Sequence, residues 1–185
     1  MALARTPRSD WIGAGLRALA EGGPNAVRIE ALAQTLGVTK GGFYGYFANR
    51  GALLEEMLDT WERDTTDELI DRIEAEGGEP PTRLRRLIEI VVSADRMTTN
   101  ATIDLAIRDW ARRDPAVGER LRRVDNRRME YLRRLFGATC PADEAETRSM
   151  LVYSLYIGNH LIAADHGTRS RTEVLRQAQA WLLGK

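Results

Sequence analysis

Between Arg28 and Leu54 two apolar patterns of helical period stand on either side of one glycine, and neither is long enough to bury itself. Ile29, Leu32, Ala33 and Leu36 share one face of a segment over 28–36 that stops at Gly37, a residue type suited to ending a helix. Val38 then turns inward, Thr39 is a suitable N-cap, and Phe43 and Phe47 lie four apart on a segment over 39–46. The helix that closes a core over this pair precedes it. Trp11, Ile12, Leu16 and Leu19 fall at helical spacing over 9–21, from Ser9 as N-cap to the stop at Gly22-Gly23-Pro24. The outward face of 39–46 carries Thr39, Lys40, Gly41, Gly42, Tyr44 and Tyr46, which a core-packing segment would not want.

Helix, glycine turn and second helix is the geometry that lets the second helix enter a DNA major groove. Two adjacent glycines weaken a helix by about 1 kcal/mol each relative to alanine, so they need a reason. Close approach of backbone to a phosphate or base edge is one; ordinary turn geometry is the other. Lys40 and Arg50 offer charge to phosphates, the tyrosines offer hydroxyls, and the helix start at Thr39 offers free N–H groups. Equally, half-buried tyrosines and a solvated arginine would explain each residue singly. Residues 1–50 carry six basic and three acidic residues, while the whole chain is neutral, so a weakly basic head precedes an acidic remainder.

The remainder reads as helix throughout. A fourth segment starts near Asn49, with Leu53, Leu54, Met57, Leu58 and Trp61 as its stripe, and runs to the break at Gly77-Gly78-Glu79-Pro80-Pro81. Further segments are expected over 81–97, 101–113, 115–137, 142–166 and 171–183, with Asp114 as N-cap and Pro115 at the first helical position. No stretch alternates with period two. The expectation is an all-α chain of about nine helices, a three-helix head over 1–48 and a larger helical body over 49–185, with 1–7 as an arm. A chain of 185 residues with 43% apolar content can bury a real core. One cysteine, Cys140, excludes an intrachain disulfide and a multi-cysteine metal site. No signal-type or bilayer-spanning apolar run occurs, so a cytoplasmic protein is expected.

The run Leu32-Ala33-Gln34-Thr35-Leu36-Gly37-Val38-Thr39-Lys40-Gly41-Gly42-Phe43-Tyr44-Gly45-Tyr46-Phe47, followed by Ala48-Asn49-Arg50-Gly51-Ala52-Leu53-Leu54, resembles the TetR family of transcriptional regulators over roughly 9–58. The resemblance implies DNA contact by Thr39, Lys40, Gly42, Tyr44 and Arg50, with Tyr46 either inward or at a phosphate, and Phe43 and Phe47 in the head's core. Gly42 stands where the family usually has threonine or serine, Gly45 where it often has histidine, and Arg50 where it usually has lysine. With two side chains missing, recognition is expected to lean on phosphates and groove shape, with Lys40 as the direct base reader.

The resemblance also implies a homodimer on a palindromic operator and a small-molecule effector that releases a repressor from DNA. Residues 148–166 are apolar on nearly every side, and Ser154 and Gly158 would admit a partner helix. The expected interface comprises Ser154, Gly158, Leu161, Ile162, Val174, Ala178 and Trp181. Expected effector-pocket residues are Trp61, Met97, Trp110, Met129, Tyr153, Tyr156, Asn159 and His160, all equally good as core. An Asp104–Arg108 pair and the arginines of 112–134 read as solvated helix faces. Catalysis is not supported: the two histidines lie six apart, Cys140 has no histidine nearby in sequence, and no catalytic, cofactor or metal site is expected. Asp165-His166 reads as a helix-end arrangement. The rival reading is a helical protein-interaction module whose DNA-binding head is vestigial.

Overall fold

A computed structural model describes residues 6–91 and 99–184, and every regular element among them is helical. The helices are α1 (Arg8–Gly22), α2 (Ile29–Thr35), α3 (Lys40–Phe43), α4 (Arg50–Glu62), α5 (Glu68–Ala75), α6 (Pro80–Val91), α7 (Thr99–Ala111), α8 (Pro115–Gly137), α9 (Ala142–Leu161) and α10 (Arg171–Leu182). A π turn over Arg63–Asp67 stands between α4 and α5, so the fourth segment expected from sequence is divided into two helices with a locally widened turn between them. The Thr65 hydroxyl donates to the Trp61 carbonyl (2.6 Å) within it. Most of the arm over 1–7 and the end of the 81–97 segment lie outside the described residues.

The chain divides into two compact units, Met1–Thr65 with Thr99–Arg122, and Thr66–Thr98 with Arg123–Lys185. In the first, α1 packs on α2, α4 and α7. Trp11, Leu19, Val27, Phe43, Leu53 and Met57 are fully buried there. Phe43 sits at the centre, edge-on to Trp11 (5.4 Å between centroids) and stacked on Phe47 (5.2 Å). Gly15 lets α1 approach α4 closely: a Cβ there would lie 2.6 Å from Met57 Sδ. Arg120 of α8 ties that helix to α4 through Glu55 (3.1 Å), Asp59 (2.7 Å) and Glu62 (3.1 Å). The second unit buries Ile73, Leu84, Ile88, Leu132, Phe136, Val152 and Leu175 in one cluster.

Helix ends follow local chemistry. Asn49 caps α4 by accepting from Ala52 N–H (2.9 Å), and Asp114 caps α8 by accepting from Ala116 N–H (3.0 Å) with Pro115 first in the helix. Ser9 is not a cap, because α1 already begins at Arg8 behind Pro7. Thr39 flanks α3 in extended conformation without a side-chain cap bond. The segment expected over 142–166 stops at Leu161, and Ile162 is extended. Arg171 explains the stop: its guanidinium donates to the Asn159 carbonyl (3.0 Å) and to that of Ile162, taking the place assigned to Asp165-His166.

Candidate nucleic-acid interface

Gly37 adopts φ +66°, the left-handed turn that ends α2 and sets α3 across it. Burial of Phe43 and Phe47 on the inner side of the second helix then fixes its outer side. Thr39, Lys40, Gly41, Gly42, Tyr44 and Gly45 are all exposed, with Tyr44 53% accessible. A Cβ at Gly42 would meet nothing nearer than Trp11 Cζ2 at 4.0 Å, so neither packing nor backbone conformation demands glycine there. Tyr46 is half-buried, and its carbonyl accepts from Arg8 Nη1 (3.3 Å). Arg8 also pairs with Glu56 (2.5 Å) and lies over the Phe47 ring (4.7 Å), clamping the turn after α3.

Arg50 also makes bonds within the head. Its Nε donates to the Val27 carbonyl (2.6 Å) and its Nη2 to that of Pro24, fastening the start of α4 to the loop before α2. Lys40 is in direct contact with the Glu30 carboxylate of α2. Their hydrogen bond is the main reason that the Glu30 carboxyl is held below its ordinary range and the Lys40 ammonium is raised above its own. Glu30 and Arg8 carry no site role in the sequence reading; only the distance across the turn brings them to the face.

The remaining expectations scatter more. Trp61 and Trp110 are buried in the first unit. Trp61 Nε1 donates to Asp104 Oδ1 (3.1 Å), and Arg108 Nε donates to Asp104 Oδ2 (2.9 Å). Asp104 is 1% exposed, which corrects the solvated-face reading of that pair. Met129 belongs to the core of the second unit. There Tyr153, Tyr156 and His160 form an aromatic stripe along α9, with centroids 6.1 and 5.4 Å apart. The Tyr153 hydroxyl donates to Asp125 (2.6 Å) and accepts from Arg128 (3.2 Å). Asn159 is buried beside Arg171, with no partner for its Nδ2. Met97 lies outside the described residues. A surface cavity of about 480 Å³ in the first unit is lined by residues of the α1 end and α7, none of them among those expected.

The arginines of the 112–134 run are largely neutralised. Arg113, Arg122, Arg127, Arg133 and Arg134 pair with Asp109, Glu119, Asp67, Glu146 and Glu74. On α9, at its C-cap Ile162 and on α10 the opposite situation holds for apolar groups: Met150, Leu151, Leu161, Ile162 and Trp181 are 52–71% exposed. Ser154 is exposed, and Gly158, Val174 and Ala178 are half-buried. A Cβ at Gly158 would make only ordinary contact with Ile162, at 3.5 Å.

Residues 12–57 match the sequence pattern of bacterial regulatory proteins of the tetR family. The head belongs to the TetR family. Around the TetR-family head, the fold is shared with solved regulators at low identity. A transcriptional regulator from Rhodococcus sp. Rha1 is 22% identical with a TM-score of 0.72, covering 97% of this chain and 95% of its own. The ketosteroid transcriptional regulator KstR2 of Mycobacterium tuberculosis is 18% identical with a TM-score of 0.67, over 98% and 95%. The regulator FadR from Bacillus subtilis, solved with stearoyl-CoA, is 14% identical with a TM-score of 0.69, over 96% and 98%. No curated protein matches the sequence.

Proposed function

We propose that this TetR-family regulator is a homodimeric, cytoplasmic repressor that binds a palindromic operator and is released from it by a small-molecule effector. One observation carries the DNA-binding half: the outer face of α3 exposes Thr39, Lys40, Gly42 and Tyr44 together, while Phe43 and Phe47 anchor that helix from behind. The division of labour follows the sequence, with residues 1–48 reading DNA and 49–185 dimerising and sensing. Lys40 and Tyr44 lead the contacts and Thr39 and Gly42 follow. Arg50, bonded to two carbonyls, holds the head's shape and contributes charge only secondarily. The Tyr46 carbonyl, bonded to Arg8, helps to hold the turn after α3.

Support for the dimer is the exposed apolar face of α9 and α10, too large in single side chains for a lone protomer to leave in water. Support for an effector is by likeness alone, the FadR regulator having been solved with stearoyl-CoA. A ligand that binds one head arrangement better than the other would shift the population away from the DNA-competent state.

Binding to the DNA flanking its own gene, followed by anisotropy across a salt series, tests the reading. The logarithm of the association constant is expected to fall steeply and linearly with the logarithm of salt, and binding is expected to vanish when Lys40 and Tyr44 are both alanine. Absent or salt-independent binding would instead favour an interaction module with a vestigial head.

A further inference from the structure

The Glu30 carboxylate stands on the face proposed to meet a polyanion, in direct contact with the residue proposed to read it. Both partners are exposed, at 49% for the Lys40 side chain and 68% for Glu30. Glu30 belongs to the first turn of α2 and Lys40 to the start of α3, so the pair bridges the two helices of the motif. A carboxylate placed there is repelled by phosphates. Its presence costs affinity unless something on the DNA donates to it.

We infer that Glu30 and Lys40 act together as a specificity-determining pair that reads one G·C base pair, the proposed DNA-binding reading being taken as given. The geometry of the ion pair is what points to this. In the major groove a G·C pair presents the guanine O6 acceptor beside the cytosine N4 donor, with guanine N7 as a second acceptor. A lysine ammonium and a carboxylate in mutual contact present a donor beside an acceptor, the complement of that pattern. Docking therefore exchanges one ion pair for two hydrogen-bonded contacts, with Lys40 on guanine O6 and N7 and Glu30 on cytosine N4. An A·T pair also sets an acceptor, thymine O4, beside a donor, adenine N6, but there the ammonium meets one acceptor crowded by the thymine methyl where guanine offers it two adjacent ones, and A·T is the poorer match. Reversed pairs put like against like: the carboxylate faces guanine acceptors and the ammonium faces a donor. Glu30 thus lowers affinity for DNA in general and supplies discrimination at one position of each half-site.

Sequences selected from randomised duplex DNA by the wild-type dimer, by Glu30→Ala and by Lys40→Met test the assignment. Thermal melts of the two variants establish that the head is folded, since both side chains are exposed. Wild type is expected to prefer one G·C pair per half-site by about tenfold or more over the alternatives. Both variants are expected to reduce that preference to within about threefold at the same position, with the other positions unchanged. Glu30→Ala is further expected to bind random DNA more tightly than wild type. Unchanged preferences with a uniform rise in affinity would overturn the pair and leave Glu30 a bystander. Loss at two different positions would overturn it as well. Failure of the wild type to enrich any sequence would overturn the DNA-binding reading itself and this inference with it.

Discussion

Arg50 carries its charge at the start of α4, where the family resemblance implies DNA contact, yet its Nε and Nη2 donate to the carbonyls of Val27 and Pro24. Removing it leaves two carbonyls without a charged donor, a loss of about 1.5–3 kcal/mol by the usual worth of such bonds. Arg50→Ala is accordingly expected to lower the thermal midpoint of the free protein. A variant equal in stability and weaker only on DNA would return Arg50 to the phosphate. Gly42 gives the opposite pattern. Its helical site has room for a Cβ, so Gly42→Ala is expected to stabilise the free protein by up to about 1 kcal/mol through helix propensity. The same methyl is expected to weaken DNA binding, because it keeps the backbone from the groove. Residues of the head were legible in sequence wherever one helix face decided their fate, as for Phe43 and Phe47. Asp104 was not, because its burial depends on Trp61 forty-three positions away, and no local pattern contains that distance.

Elements were legible to within a residue or two where a cap or a breaker marked them, as for α8 between Asp114 and Gly137. They were misjudged where a distant side chain intervened. Arg171 ends α9 five residues early by taking its last carbonyls, and the π turn at Arg63–Asp67 has no composition signature. The start of α10 shows what a strong local signal looks like: Ser170 accepts from Glu173 N–H (3.2 Å), and Glu173 accepts from the Ser170 backbone N–H (2.7 Å). Ser170→Ala is expected to cost about 1 kcal/mol of stability, read by chemical denaturation. The Ser170 backbone N–H holds the Glu173 carboxyl below its ordinary value of 4.5. A carboxyl depressed by folding stabilises the protein above its unfolded value and loses that contribution as pH falls through the folded one. The deficit of Glu173→Ala relative to wild type is therefore expected to hold at neutral pH and to narrow below about pH 4.5. A deficit independent of pH would mean that the Glu173 side of the box contributes nothing.

For the whole molecule, the exposed apolar face of α9 and α10 matters as much as the head. A recognition helix of four residues, carrying two glycines, offers few direct contacts. Doubling the heads through a two-fold interface multiplies those contacts without adding any to a single head. Sequence reading singled out α9 and α10 because their apolar residues exceed what one core-facing stripe can hold, and several of these are exposed. The expected pocket residues divide between the compact units, Trp61 and Trp110 falling in one and Met129, Tyr153, Tyr156, Asn159 and His160 in the other, a division that no local pattern announces. Sedimentation of the wild type and of Leu161→Glu/Trp181→Glu, each alone and with a selected duplex, bears on this most directly. Two protomers are expected both free and on one duplex, and the folded double variant is expected to sediment as one protomer and to leave the duplex free at salt where wild type saturates it. A wild-type monomer on DNA, or a monomeric variant that binds as tightly as wild type, would contradict the dimeric reading of the molecule.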